Sequence, residues 1–192
     1  MSERKGDWMQ RAKGMAAWPL SPSPDDFRDI CEIAFVFAGK NRFNGHAGYG
    51  IPHTPHTPRY NVADHCVRVS RIVPPEHALQ ALLHEGDEFL LPDVPRPLKI
   101  APEMAWYRAL CREHRRCMYL AWDLPEEEPA CVKQADEILL ATEARDLMGG
   151  ESAGKWNLIA DPLPERIDPL SPYEAELAFV RRFLELFNAR QR

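Results

Sequence analysis

Four ionisable side chains occur in stretches whose neighbours should pack into a protein core. His65 lies within VADHCVRV, His84 and Glu85 directly follow LQALL, and Asp136 interrupts VKQADEILL. Burying an unpaired ionisable group is costly, so such side chains usually have partners. Two imidazoles and two carboxylates on three predicted helices could be one another's partners through a shared metal ion. Mixed nitrogen and oxygen ligands suit a divalent ion such as Zn, Co, Mn or Mg.

Each of these residues also allows a structural interpretation when it is taken alone. A single histidine on an apolar helix face is more often a core residue than a ligand, and Asp136 could bond to a neighbouring helix. The metal site is therefore predicted from the order and context of the four residues together. Cys111, His114 and Cys117 form a C-x-x-H-x-x-C pattern, but no fourth zinc ligand is evident, so ordinary helix positions are favoured there.

Length and composition favour one domain. The chain has 192 residues, of which 45% are hydrophobic, enough for a sizeable core. No apolar run approaches the ~20 residues of a membrane helix, the charged N-terminus lacks a secretory signal, and five irregularly spaced cysteines favour reduced thiols. We therefore expect a cytoplasmic protein with no membrane partner. The net charge of -5 argues against binding of a nucleic-acid polymer, although local bases could bind a phosphorylated small molecule.

Helical periodicity alternating with proline-rich loops predicts an all-α fold. Asn61 should cap the second helix, and the glycine pair at 149–150 should end the fifth. Three internal prolines should keep residues 91–102 irregular, and no stretch shows convincing strand alternation. The predicted helices cover residues 27–40, 60–73, 76–90, 102–120, 126–148 and 173–192.

The whole chain, residues 1–192, is expected to form a single domain with its core at about 25–150. Residues 1–24 predict an extended arm that packs Trp8 and Trp18 onto the domain, and residues 151–192 give a loop and a terminal helix. That helix is expected to pack on its own core, and the alternative is that it forms a subunit interface. A homo-oligomer is also expected. Its predicted apolar stripe consists of Leu177, Val180, Leu184 and Phe187.

Three blocks of sequence resemble the signature of HD-superfamily phosphohydrolases, which are metal-dependent enzymes. They are YNVADHCVRVSRIV, ALLHEGDEFLLPDVPRPLK and VKQADEILLATEARDLM, and a fourth, EIAFVFAGKNRFNGH, resembles the helix upstream of the first metal-binding histidine. The similarity is greatest to the branch that contains bacterial 5'-deoxynucleotidases, small phage and prophage phosphohydrolases, and phage dATP triphosphohydrolases. It covers roughly residues 5–148 and implies a helical HD domain.

The resemblance implies a role for each matching residue. The metal ligands would be His65, His84, Glu85 and Asp136. Further acidic residues near the reacting phosphate would be Glu88 and Asp93, and phosphate-binding bases would be Arg42 and Lys99. Glu85 departs from the family, because the paired residue is normally Asp and Glu reaches one methylene further. The loop over residues 45–59 is also longer than expected, and its His53 and His56 could cover the substrate, bind a second ion or lie on the surface.

The expected chemistry is attack of metal-activated water on phosphorus. Glu88 follows His84 by one helical turn and would orient or deprotonate the water, or protonate the leaving oxygen. Asp93 would share the proton transfer or bond to the sugar. Their alternative interpretations are a solvated acid at a helix end and a loop cap.

Several bases could bind the phosphate groups. Arg42 can make a two-pronged contact, whereas Arg96 and Lys99 lie in a loop that prolines stiffen. For all three, an exposed surface charge is the alternative. Phe43 could flank the base of a nucleotide or pack in the core.

Together these patterns predict a nucleotide phosphohydrolase, acting either as a 5'-nucleotidase or as a deoxynucleoside triphosphate triphosphohydrolase. One alternative is a degenerate HD domain that binds a nucleotide or a protein partner without turnover. Another is a helical interaction module that uses the C-terminal helix.

Overall fold

The computed structural model describes residue 4 and residues 6–48, 59–148 and 155–191. Over these residues the fold is helical, which confirms the all-α prediction. No helix in the described ranges is long and apolar enough to cross a membrane. The helices are α1 (Ile30–Gly39), α2 (Val62–Ile72), α3 (Ala78–Leu82), α4 (Arg96–Lys99), α5 (Ala105–Ala121), α6 (Ala130–Leu147) and α7 (Pro172–Arg190).

The main core forms where α1, α2 and α3 pack against α7. Phe37 of α1 meets Phe179 of α7 edge-on, with ring centroids 5.6 Å apart. The buried face of α7 also includes Ala175 and Phe183. Burial of these rings holds α2 in the centre of the fold, between α7 and α6, where Asp64, His65 and Ser70 are cut off from water.

Helix α2 has the ends that its sequence predicts. The Asn61 side chain accepts a hydrogen bond from the backbone N–H of Asp64 at 3.0 Å, as an N-cap should. The helix ends at Ile72, shortly before Pro74, which cannot donate a backbone hydrogen bond.

The prediction of one continuous helix over residues 76–90 is wrong. Helix α3 covers only Ala78–Leu82, with a 3-10 turn on either side at Pro75–His77 and Gly86–Phe89. Gly86 lies directly against α5, where a Cβ atom on it would stand 2.7 Å from the Cβ atom of Met118. This close approach leaves no room for a side chain at position 86, and the bend between α3 and this turn carries His84 and Glu85.

Other element boundaries also differ from the predictions. The first and fifth helices begin later, at Ile30 and Ala130, and α6 follows Pro129, which disfavours helix in the residue before it. The segment predicted to be irregular contains the short helix α4, because Pro97 stands in its first turn, where its missing N–H has no helical partner. The predicted end at 149–150 lies outside the described residues.

The N-terminal arm contains the only strands that the described residues form. The strands β1 (Met9–Gln10) and β2 (Ala16–Ala17) pair antiparallel, contrary to the expectation of no strand. Trp18 is half-buried beneath the Arg4 guanidinium, 4.8 Å from the ring centroid. Trp8 is 59% exposed, so the prediction that it packs onto the domain is wrong.

Helix α7 packs on its own core, but not with the whole stripe that the sequence suggested. Val180 and Phe187 lie against the core, whereas Leu177 and Leu184 are exposed. The predicted stripe therefore coincides only in part with the buried face of α7. Apolar residues occur around most of this helix, so its sequence does not single out one face.

Candidate metal centre

The structure brings all four predicted metal ligands together. His65 comes from α2, His84 and Glu85 from the bend after α3, and Asp136 from α6. One ligand atom from each residue lies within 4.8 Å of the others. In the described part of the chain this is the only such group of histidine, cysteine and acidic side chains, and it could hold a metal ion.

The two histidines turn the same ring nitrogen toward the centre. Nδ1 of His65 lies 2.6 Å from Oε1 of Glu143, and Nδ1 of His84 lies 2.7 Å from the backbone oxygen of Ala81. Both partners are acceptors, so each Nδ1 carries the proton that forms the bond. The two Nε2 atoms are then left with lone pairs, and they face each other at 3.3 Å. Two lone pairs at this distance repel each other unless a proton or a cation stands between them.

The two carboxylates complete the group. Oδ1 of Asp136 is 3.2 Å from Nε2 of His65, and it is a buried atom without a hydrogen-bond partner. Oε1 of Glu85 is 3.7 Å from Nε2 of each histidine. Ligands at about 2.0–2.2 Å from an ion stand about 3–4 Å from one another, so these separations fit a coordinated cation.

The electrostatics of the centre favour a positive charge. Burial raises the pKa of Glu85, but His84, Arg42 and His65 outweigh it and lower the value to about 2. Burial likewise opposes ionisation of Asp136, but the neighbouring His65, together with His84 and Arg42, holds the pKa of Asp136 below the usual range. Burial and Arg42 lower the pKa of His65, yet Glu143 and Asp136 raise it to about 9. Without a metal, a proton on the imidazole pair therefore supplies the charge that the carboxylates require.

Glu143 is a residue of the site that the sequence analysis missed. It is completely buried, accepts from His65 Nδ1 and receives Arg42 Nη2 at 3.3 Å on its other oxygen. It follows Asp136 by seven residues, which is two turns on the same face of α6. A second buried acid at this spacing was the signal that could have found it.

Arg42 lies at the centre rather than on the surface. Its Nη1 atom donates to Glu85 at 2.7 Å, while Nη2 pairs with Glu143. The guanidinium thus joins one predicted ligand to the acid that orients another. Phe43 is half-buried next to it, edge-on to Trp156 with ring centroids 5.8 Å apart.

The two predicted catalytic acids lie within electrostatic reach of Glu85. Glu88 is 3% exposed, and its Oε2 atom is buried without a hydrogen-bond partner. Burial raises the pKa of Glu88 well above its usual value, and the charges of Glu85 and Asp93 raise it further. Asp93 is half-buried, and burial raises its pKa as well. Because α3 ends at Leu82, Glu88 is held in a 3-10 turn rather than one helical turn beyond His84.

The two remaining bases lie apart from the ligands. Lys99 pairs with Asp87, at 3.2 Å between Nζ and Oδ2. Arg96 has a side chain that is 68% exposed and lies 3.4 Å from Glu137. Neither base has an ion pair with any of the four ligands among the described residues.

The C-x-x-H-x-x-C pattern forms no such centre. Cys111, His114 and Cys117 are buried on α5, and Nε2 of His114 bonds to the backbone oxygen of Pro19 at 2.7 Å. The loop histidines His53 and His56 lie outside the described residues.

A helical protein with a buried centre of two histidines and two carboxylates is the class that the fold and the site define. The chain belongs to the same family as the uncharacterized protein YfdR of Escherichia coli, with 33% identity over 166 residues that span 84% of this chain and 86% of that protein. The uncharacterized protein RCAP_rcc00048 of Rhodobacter capsulatus is 27% identical over 194 residues, 93% of this chain and 94% of its own. No family model matches the chain.

Proposed function

We propose that this chain is a metal-dependent phosphohydrolase of the HD type that acts on nucleotides, either as a 5'-nucleotidase or as a triphosphohydrolase. The observation that carries the proposal is the pair of Nε2 atoms of His65 and His84, which face each other at 3.3 Å between two carboxylates. Their order along the chain and the surrounding sequence also match the HD signature. A divalent ion is the cation that best fits two imidazoles and two carboxylates, with Mn, Co, Zn and Mg as candidates.

Hydrogen bonds from neighbouring groups hold the two histidine ligands in place. Glu143 and the Ala81 carbonyl fix the ring orientation of His65 and His84, so both Nε2 atoms stay available. A divalent ion bound there would supply positive charge against a phosphate and lower the pKa of water.

Glu88 and Asp93 would handle protons in this reaction. Glu88 lies in the 3-10 turn that directly follows Glu85, and one of its carboxyl oxygens is buried without a hydrogen-bond partner, which suits it to orient the attacking water or to protonate the leaving oxygen. Arg42 would hold Glu85 in place and add positive charge next to the reacting phosphate.

A second candidate is a degenerate domain that binds a nucleotide or a protein partner without turnover. The short contact between Arg42 and Glu85 favours it, because a carboxylate engaged by a guanidinium is a weaker metal ligand. The two candidates differ in product formation.

The experiment that tests the proposal is phosphate and tripolyphosphate release from a panel of nucleoside mono- and triphosphates, with metal-depleted protein reloaded with Mn²⁺. We expect turnover that disappears in Asp136→Asn, a nearly isosteric change, and that persists in the surface control Arg71→Gln. Metal binding without any product would favour the second candidate. Equal turnover in Asp136→Asn and wild type would contradict the proposed centre.

A further inference from the structure

A cavity of about 230 Å³ lies where α4 packs beside α5. Its lining residues include five basic side chains and no acid: Arg96, Lys99, Arg108, Arg112 and Arg115. We call this the basic pocket. Its size is below the range of about 300–1,000 Å³ that holds drug-sized ligands, so it suits a small anion better than a whole nucleotide.

The arginines of α5 are arranged on one side of the helix. Arg108, Arg112 and Arg115 are four and three residues apart, which places them on the same face. Like charges at this spacing repel, so a row of three needs compensation. Asp87 offers part of it, since its carboxylate pairs with Lys99 at 3.2 Å and lies 3.6 Å from Arg115.

The remaining charge of the pocket is not balanced by the residues described. Arg96 pairs with Glu137 at its margin, and one guanidinium nitrogen of Arg108 donates to two backbone oxygens, those of Lys99 and Ala101. Arg112 is exposed and has no ion pair within the described ranges. Five cations against Asp87 and Glu137 leave an excess of positive charge around a concave space, which concentrates anions there.

One 3-10 turn, Gly86–Phe89, connects the basic pocket to the metal centre. Asp87, which holds Lys99 and Arg115, directly precedes Glu88 in the same 3-10 turn. The charge of Glu85 raises the pKa of both Lys99 and Arg115, although burial works to lower it. A ligand in the basic pocket therefore lies within electrostatic reach of Glu85, one of the four predicted metal ligands.

We infer that the basic pocket binds a chain of two or more phosphate groups. Guanidinium groups match phosphate oxygens in pairs, and several of them around a small cavity favour a polyphosphate over a single phosphate. The ligand has two possible sources, which are the phosphate chain of a nucleoside triphosphate substrate and a separate polyphosphate. The first source rests on the proposed function, whereas the pocket itself does not.

The test is calorimetric titration of inorganic tripolyphosphate into the full chain with EDTA present, so that metal binding plays no part. We expect Arg112→Glu to weaken binding by about tenfold or more, since it replaces an attractive contact with a repulsive one. The matched control Arg71→Glu makes the same charge change on an exposed arginine of α2 outside the pocket and should bind as wild type. Orthophosphate should bind at least about tenfold more weakly than tripolyphosphate, because it reaches fewer cations.

Absence of tripolyphosphate binding, or equal loss in Arg112→Glu and Arg71→Glu, would overturn the inference. A second assay follows triphosphate hydrolysis with Mn²⁺ in excess. Competitive inhibition by tripolyphosphate would identify the phosphate chain of the substrate as the ligand of the basic pocket. Binding without competition would identify a separate polyphosphate ligand. If the protein binds tripolyphosphate but hydrolyses no nucleotide, the inference about the basic pocket stands and only the proposed function is contradicted.

Discussion

Two buried histidine environments in this molecule differ in what their nitrogens face. His114 on α5 bonds through Nε2 to the Pro19 carbonyl and stands edge-on to Phe27, with centroids 5.9 Å apart. Burial lowers the pKa of His114, and no carboxylate pairs with it among the described residues. His65 and His84 are equally buried but turn their Nε2 atoms toward each other and toward two carboxylates. Burial alone therefore does not make a histidine a candidate ligand, whereas convergence of free nitrogens with acids does.

The largest expected effect is a loss of metal binding when a histidine of the metal centre, but not His114, is replaced. His84→Ala should abolish high-affinity metal binding, with a loss of more than about 100-fold, because it removes a first ligand. His114→Ala should retain full metal stoichiometry and lower only stability, by about 1–3 kcal/mol, since it removes a packed side chain and one hydrogen bond. Metal content after dialysis and thermal unfolding measure the two quantities. Equal metal loss in both variants would show that fold, not coordination, decides binding.

The sequence predicted the four converging residues because each interrupts an apolar pattern, and convergence of three helices then followed from their family-like order. It did not predict the bend after α3, because the leucines and alanines of residues 78–83 continue a helical pattern. The bend brings Gly86 into close contact with Met118, a tertiary contact between residues distant in sequence that the local pattern does not encode. The spacing of Glu143 from Asp136 could have marked it as a second acid on the same face of α6, but its role as a partner of His65 depends on where α2 places that histidine.

A second prediction separates coordination from proton transfer within the metal centre. Glu88→Gln should bind metal as wild type, yet reduce turnover by about 10²–10⁴, because the amide cannot exchange the proton. Single-turnover kinetics with metal-loaded protein measures the step. Glu103→Gln changes an exposed acid in the 3-10 turn before α5; this variant is the control and should be fully active. Undiminished turnover in Glu88→Gln would exclude the residue from catalysis.

A third prediction concerns the carboxylate that faces Nδ1 of His65 and that His114 lacks among the described residues. Glu143→Gln should weaken metal affinity by about 10–100-fold, since the neutral amide no longer orients and polarises His65. Glu137→Gln is a matched control on the same helix, because its carboxylate pairs with Arg96 outside the centre. Titration calorimetry with Mn²⁺ compares the two. The same affinity in both variants would mean that Glu143 serves packing and not the ligand.

The smallest expected effect concerns the departure from the family pattern. Glu85→Asp withdraws the carboxylate by about 1.5 Å and lengthens its contact with Arg42. We expect metal affinity to fall by up to about tenfold, in the same calorimetric assay, with the fold unchanged. An affinity identical to wild type would show that Glu85 pairs with Arg42 only and is not a ligand.

The metal centre is tested most directly by anomalous diffraction from crystals of the full chain soaked in Mn²⁺. We expect one strong peak about 2.0–2.3 Å from Nε2 of both His65 and His84, with oxygens of Glu85 and Asp136 completing the shell. A structure in which Mn²⁺ binds elsewhere, or in which the two Nε2 atoms stay in contact without an ion at saturating metal, would contradict it.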